Sequence, residues 1–576
     1  MVGFDEVFDF VVVGSGGGSM CASLLMRQES KTVLILEKTE FVGGTTARSG
    51  GVMWIPNNRF MKRDGVADSL EQAETYLDNV VGTPNDAPGT SRERRRKYLE
   101  EAPRMVDFLV DQGIKLSRAS YWPDYYDEKP GGSEAGRTVI ALLFNVNELG
   151  AWKAKLRPGM MATAGDPPAY VEEGMKLRNL KVSAESKATM LKIALRTIGA
   201  RLTGKHYVTA GAALQGRMLQ AALKAGVEFR TESPVEELIV EDGAVTGVRT
   251  VKDGRPWRVG ARLGVLVNAG GFARNQEMRD QYQPGTQAAW SNVPEGDTGE
   301  MIREMIRLGA QVGQMEEMVG YQSSIAPGTE GDPVKPGLQA ALASPHAILV
   351  DQTGVRYQNE GGSYMAFCRG MLARNKTVPA VPSWGVFDSQ HVNRYGVPGA
   401  MVGSAAGRRW IEQGHIRKAD SLEALAKLID MDPATLKATV ERFNGFVAKG
   451  RDEDFQRGAR AYDRWLGDPT HKPSSTLGAI SEGPFYAIPA VPGDVSTYGG
   501  VVTDSDARVV REDGSIIPGL YATGVSTASM MGRAYPGAGA SVGPSFTWGY
   551  IAAQHALGQG GASASAGARQ TAKAGA

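Results

Sequence analysis

The N-terminal residues Phe8–Gly14 form a short, mostly apolar run, the pattern of a buried strand. A glycine-rich turn follows, and Ser19–Arg27 reads as a helix that starts on small residues. Thr32–Glu37 is a second apolar run, so the chain opens with a strand–helix–strand unit. Asp68–Val81 and Ser91–Gln112 carry mixed charge at helical spacing, with Asp68 and Ser91 as N-caps. Residues 117–133 are rich in aromatics, proline and glycine and predict a loop. Ser186–Leu202 predicts a helix on which Leu191, Leu195, Ile198 and Leu202 share one stripe, with Lys192 and Arg196 off that face. Ala210–Gly226 predicts a helix. Val227–Val251 predicts two or three strands that turn at Asp242-Gly243, and Val265–Ala269 is a buried strand ending at Gly270-Gly271. The stretch 276–485 is mixed, with helices near 296–309, 421–430 and 434–449. Short strands return over Tyr498–Gly524, and Ser545–Leu557 is a final helix. The Gly-, Ala- and Ser-rich tail from Gly558 predicts disorder.

At 576 residues the chain is long for one core, so two packed domains are expected. Its 64 basic and 63 acidic residues nearly cancel, which gives no global reason to bind nucleic acid. The 73 glycines gather at 14–18, 43–51, 270–271, 499–500 and 532–543, a distribution that suggests backbone brought close to a ligand. Two cysteines, Cys21 and Cys368, provide neither a disulfide framework nor a cysteine-rich metal site, and no histidine falls at a metal spacing. No basic leader precedes an apolar run, and no apolar run is long enough to span a bilayer, so a cytoplasmic protein is expected.

The turn Gly14-Ser15-Gly16-Gly17-Gly18-Ser19 lies between a strand and a helix. Gly14 permits the tight turn, Gly16 lets backbone approach a pyrophosphate, and Ser19 keeps the third site small for helix–strand packing. The helix N-terminus then faces the phosphates. Glu37 ends the second strand and is placed to accept bonds from ribose hydroxyls. Glu37-Lys38 leads into Gly43-Gly44-Thr45-Thr46 and Ser49-Gly50-Gly51. Together these segments resemble the FAD-binding motif of the fumarate reductase/ketosteroid dehydrogenase flavoprotein superfamily. Val265–Gly271 and Gly519–Gly524 resemble its later FAD-contacting segments. The resemblance implies FAD as cofactor, with Val235, Ala269, Gly270, Gly524, Ala540, Ser541 and Val542 joining the N-terminal residues around it.

Within that superfamily, Tyr535-Pro536-Gly537-Ala538-Gly539 resembles the Tyr-Pro-Gly-x-Gly motif of the 3-ketosteroid Δ1-dehydrogenases. A carboxylate-gripping Arg-Leu-Gly-Gly-Asn segment, typical of the fumarate reductases, does not occur at this place. Trp122-Pro123-Asp124-Tyr125 resembles the active-site loop of the dehydrogenases. Val350–Glu360 followed by Tyr364 resembles the strand–turn–strand that leads to their catalytic tyrosine. Desaturating ring A needs a donor pair on the C3 carbonyl, a base for the C2 proton and a flavin N5 to take hydride from C1. An apolar pocket favours phenols for the first two tasks. The resemblance implies that the Tyr535 hydroxyl and the Gly539 N–H polarise the carbonyl. It gives Tyr364 as the base and Tyr125 as its assistant, with Tyr121 and Tyr126 as competitors for that second place. A phenol ionises near pH 10, so Tyr364 is expected to have its phenolate stabilised. His346 and Arg533, which could serve a dicarboxylate reductase, are assigned structural or solvated roles.

Residues 174–206 hold eight Lys or Arg against one acid, Glu185, and form part of an inserted basic helical segment, 151–206. A helix of this kind can lie in a membrane interface, from which sterols could be drawn; the alternative is a helix packed on the protein. Cholest-4-en-3-one-type dehydrogenases are the family members this feature most resembles. The expected fold is α/β: a Rossmann-like FAD-binding domain (1–275 and 488–557) and an α+β catalytic domain (276–487) that share a steroid substrate. A quinone or redox protein would accept the electrons. The rival readings are a Δ4-type dehydrogenase or fumarate reductase-like enzyme on the same fold, and a flavin-containing binding protein without turnover.

Overall fold

The N-terminal apolar run forms the strand Glu6–Val13, whose last four residues are buried. In the computed structural model, which describes residues 3–82, 87–400 and 405–558, this strand lies at the centre of an eight-stranded sheet. It pairs in parallel with Val33–Leu36 on one side and Arg255–Val267 on the other. Glu228–Arg230 and Ile516–Ala522 extend the parallel part outward. The antiparallel strands Val235–Glu241 and Ala244–Lys252 turn at Asp242 and Gly243, both at positive φ, as a tight hairpin requires. The Arg255–Val267 strand begins ten residues before the expected Val265, because its polar first half pairs with Ala244–Lys252 as a partly exposed ribbon.

The helix Gly17–Gln28 packs against the C-terminal helix Val542–Ala556. A Cβ at Gly17 would overlap the Phe546 ring, and one at Gly18 would overlap the Ser545 carbonyl. These two glycines therefore make the close approach that the sequence pattern assigns to Ser19. Ser19 instead accepts a hydrogen bond from Asn268 Nδ2 at 3.0 Å. The C-terminal helix starts at Val542, three residues before the expected Ser545.

A five-stranded antiparallel sheet forms the second layer, with Phe485–Thr497 running between Met318–Ser323 and Ser383–Asp388. Residues 488–497, expected with the first domain, pair in this sheet. A small sheet of Val52–Trp54, Leu116–Arg118 and Thr138–Ala141 supports the aromatic loop, whose expected start at 117 lies within the second of these strands.

Two local expectations change. Ser69, not Asp68, caps the Leu70–Val80 helix, accepting from Gln72 N at 3.1 Å. Asp68 is drawn away by Arg137 and by Asn57 N. The expected strand–turn–strand over 350–360 has one strand only, Ala347–Val350. Beyond it, Asp351 Oδ1 gathers Thr353 and Val355, while Arg356 pairs with Glu360 and Asp452, so polar pins replace a ladder.

The basic helix spans Ala184–Leu202 and is capped by Ser183. Ser186, Ile193 and Ala200 face the protein, and Arg196 clasps Glu173, whose carboxyl is lowered to about 2 despite its burial. The apolar stripe is open: Leu191, Leu195, Ile198 and Leu202 are 60%, 61%, 54% and 83% exposed. No helix of the described residues is long and apolar enough to cross a membrane. Beyond Gly558, the predicted tail lies outside the described residues.

Candidate active site

A cleft runs from the ends of the first two parallel strands to the start of the C-terminal helix. Gly14 turns at φ +90°, and a Cβ there would collide with the Asn268 carbonyl, so only glycine fits. The buried Glu37 accepts from Ser15 Oγ at 2.6 Å and from Thr39 N and Oγ1 at 2.9 and 2.8 Å. Ser15 Oγ in turn accepts from Gly43 N at 2.9 Å, which ties the first turn to the Gly43–Gly51 loop. Lys38 turns to Thr298 and Glu300.

Gly14, Ser15, Gly16, Glu37, Lys38, Gly44, Thr45, Thr46 and Ser49 line this cleft, as do Val235, Ala269, Gly270, Gly524, Ser541 and Val542. Gly17, Gly18, Ser19, Gly43, Gly50, Gly51 and Ala540 are not on its wall. Gly51, for instance, lies against Ala210 at the start of the Ala210–Lys224 helix. The sequence reading missed Arg48, Arg157, Asn268 and Asp297, which also line the cleft. Arg48 stands between the glycine-rich segments 43–46 and 49–51 and was legible. Arg157 and Asp297 come from segments without a local signature. Burial, with Arg157 and Arg274 nearby, pushes Arg48 down to about 10. Two guanidinium groups on the wall of the cleft suit a pyrophosphate. Asp297 is buried, and apart from the nearby Gly271 N–H its oxygens have no partner. Burial pushes it up to about 7. Such a donor–acceptor cradle, with an orphaned carboxyl and backbone that tolerates no Cβ, fits a flavin dinucleotide.

The far end of the cleft is Tyr535. Its ring centroid lies 5.2 Å from that of Tyr364 and 5.8 Å from that of Tyr125, and Tyr125 meets Tyr364 edge-on at 5.4 Å. The three expected tyrosines thus converge from the Trp122–Tyr125 loop, the first turn of the Tyr364–Asn375 helix and the Tyr535–Gly539 loop. Of the competitors, Tyr121 stacks on Trp122, and the Tyr126 hydroxyl interacts with Ser363, the residue before Tyr364. Gly539 sits at φ +93° against the Val52 carbonyl, with its own carbonyl held by Trp54 N and Gly543 N. The Gly539 and Ser541 N–H groups interact with the Tyr535 oxygen and favour negative charge there, although burial raises the phenol overall. Tyr364 differs from expectation. Burial, reinforced by Tyr125 and Tyr535, pushes its phenol well above the ordinary value, so the free site does not stabilise a Tyr364 phenolate.

Arg533 and His346 have structural partners. Arg533 is neutralised by Glu316 at 2.7 Å and Glu317 at 3.3 Å, and His346 is bonded to the Ala479 carbonyl. Among the described residues no group of His, Cys, Asp and Glu is arranged to hold a metal ion.

Asp297 gives the ligand-free protein a pH signature. Its folded pKa of about 7 lies above the ordinary 3.8. The stability from holding this proton is complete below about pH 4 and is lost as pH rises through about 7. The thermal midpoint of the ligand-free protein is expected to fall between pH 5 and pH 8, and Asp297→Asn to flatten that fall. Equal slopes in the two proteins would contradict the assignment.

The sequence matches the family described as FAD binding domain over residues 9–542. It is 37% identical to the 3-oxosteroid 1-dehydrogenase of Mycobacterium tuberculosis, over 96% of this chain and 99% of that one. It is 33% identical to the 4-oxocyclohex-2-ene-1-carboxylate 5-dehydrogenase of Sinomonas cyclohexanicum, over 94% and 92%. The fold matches the 3-ketosteroid delta1-dehydrogenase of Sterolibacterium denitrificans, solved with 1,4-androstadiene-3,17-dione. The TM-score is 0.88 at 35% identity, covering 96% of this chain and all of that one. A cleft built for a dinucleotide, tyrosines gathered at its end and near full-length similarity lead to one assignment: the chain belongs to the FAD-binding flavoprotein family that includes the 3-oxosteroid 1-dehydrogenases.

Proposed function

We propose that the protein is an FAD-dependent 3-oxosteroid 1-dehydrogenase that converts 3-oxo-Δ4-steroids to 1,4-diene-3-ones. The observation that carries this reading is the convergence of Tyr125, Tyr364 and Tyr535 at the end of the dinucleotide cleft. The cleft residues from Gly14 to Val542 hold the FAD, which supplies the hydride acceptor for C1. The Tyr535 hydroxyl and the Gly539 N–H bind the C3 carbonyl oxygen, in the backbone field that already favours negative charge at Tyr535. That polarisation acidifies C2–H. Tyr364, whose ring lies 5.2 Å from that of Tyr535, takes the C2 proton with Tyr125 beside it. The first sheet and C-terminal helix serve as the FAD domain, the second sheet as the substrate domain. A quinone or redox protein reoxidises the flavin.

A keto-carboxylate, as named in the Sinomonas relative, would need a free cation beside the tyrosines. Arg533 is occupied by two glutamates, which favours a neutral steroid. With androst-4-ene-3,17-dione and an artificial acceptor, the expected product is two mass units lighter with a C1–C2 double bond. Tyr364→Phe should lower kcat by about 100-fold or more while retaining bound FAD. Desaturation at C4–C5 of a 5α-steroid without C1–C2 product would select the Δ4 reading instead.

We further propose a cytoplasmic protein that touches the membrane through the exposed leucine stripe. Of the eight basic residues, Lys176, Lys192 and Arg196 pair with glutamates, while Arg178 and Lys181 bond to carbonyls. Lys187, Arg201 and Lys205 remain for anionic headgroups beside Leu191, Leu195, Ile198 and Leu202. Anionic vesicles should sediment the protein more strongly than zwitterionic ones, and Leu195→Asp with Leu202→Asp should abolish the binding without loss of turnover. Unchanged sedimentation would show that this face does not dock on lipid.

A further inference from the structure

We propose that the short helix Ala461–Leu466 sets the Tyr125 ring, and that Arg178, from the basic segment, is a positioning residue that holds this helix in place. The inference rests on the steroid-dehydrogenase reading, in which Tyr125 assists the base.

The helix has six residues, too few to hold its shape alone. Its own sequence offers no cap: the N-cap position is Arg460, whose side chain only donates. Other parts of the chain finish both ends. At the N-terminus, Asp127 accepts from Ala461 N and Tyr462 N at 2.9 and 3.0 Å. At the C-terminus, Arg178 Nη1 donates to the Leu466 carbonyl at 2.9 Å and Nη2 to the Trp465 carbonyl at 3.4 Å. A carboxylate at the first turn and a guanidinium at the last both match the helix dipole. Arg178 Nε donates to the Met175 carbonyl at 3.1 Å, which ties the guanidinium to its own segment.

The helix meets the Tyr125 loop in register. Tyr462 and Trp465 are three residues apart and share one helix face. Trp122 and Tyr125 have the same spacing in the loop. Tyr462 stacks on Tyr125 with ring centroids 4.1 Å apart and planes 29° apart. Trp465 stacks on Trp122 at 4.9 Å and 28°. Asp127, two residues after Tyr125, adds the third point of attachment.

These contacts act on the ring rather than on the backbone of Tyr125, which is already fixed by its N–H bond to the Pro536 carbonyl at 2.9 Å. Tyr364 meets Tyr125 edge-on and Tyr535 lies 5.8 Å from it, whereas Tyr462 supplies a stacked face. Gln339 Nε2 donates to the Tyr462 hydroxyl at 2.9 Å and holds that face in turn. A shift of about 1 Å in a reacting geometry can cost about 100-fold in rate. Arg178 is not on the wall of the dinucleotide cleft, so it reaches the chemistry only through the helix.

The test uses the FAD-loaded full chain, mixed anaerobically with androst-4-ene-3,17-dione, and reads two signals. One is the limiting rate of flavin reduction. The other is the circular-dichroism couplet that two stacked indoles produce, assigned to Trp122 and Trp465 by its loss in Trp465→Phe. Arg178→Ala is expected to slow reduction about tenfold or more and to weaken the couplet, with FAD retained. The steroid concentration at half-maximal rate should stay within about twofold. Asp127→Asn, at the other end of the helix, should slow reduction about threefold or more with a weaker couplet, which keeps the test valid if Arg178→Ala does not fold. Wild-type rates in both variants would overturn the inference and leave the function intact, as would slower rates with an undiminished couplet. Wild-type flavin that stays oxidised with this steroid would overturn the dehydrogenase reading, and the positioning role with it.

Discussion

The arrangement of the active site depends on one buried guanidinium. Arg137 is fully buried and bonds to Asp68 and Asp124 at 2.7 Å each. Asp124 also accepts from Trp54 Nε1 at 2.7 Å and from Ser133 N at 3.1 Å. Burying such a cluster is costly, and removing one partner typically costs about 3–5 kcal/mol because a charge is left stranded. What the cluster fixes is position. Asp124 precedes Tyr125, whose N–H donates to the Pro536 carbonyl at 2.9 Å. Tyr76 donates to the same carbonyl at 2.6 Å, and Thr138 bonds to the Ala538 carbonyl at 2.9 Å. The Tyr535–Gly539 loop is thus clamped on both edges, and Tyr535 and Gly539 hold their places without a ligand. Preorganised donors of this kind need no rearrangement as charge develops on a carbonyl oxygen.

The two ends of the cleft answer to different physics. At the dinucleotide end, backbone approaches so closely that side chains are excluded, at Gly14 against Asn268 and at Gly18 against Ser545. At the tyrosine end, burial of phenols does the opposite work. It raises the cost of ionisation at Tyr125 and Tyr364. The C-terminal helix joins the two, packing on the first helix and beginning just after the Tyr535–Gly539 loop.

What the sequence revealed follows from which constraints are local. The first turn was legible because its glycines serve a φ angle and close contacts only a few residues apart. Tyr535 was legible because it stands in a loop otherwise built of small residues. Asp68 and Ser69 are both good caps, and the choice between them was made by Arg137, far along the chain. The pairing of 488–497 with the second sheet was hidden because Phe485–Thr497 is one continuous strand that runs through 488. Asp297 had no signature at all, since its raised carboxyl comes from burial and from neighbours supplied by other segments. The leucine stripe was visible as a period, but only the fold shows that none of the described residues covers it.

The central claim is that a steroid ketone is gripped by Tyr535 and Gly539, with C2 presented to Tyr364. A crystal structure of the FAD-loaded protein with androst-4-ene-3,17-dione tests it most directly. The account predicts the C3 oxygen within about 3 Å of both the Tyr535 hydroxyl and the Gly539 N–H, and C2 against the Tyr364 oxygen. A steroid bound with its C17 ketone at that loop, or with ring A away from Tyr364, would contradict it.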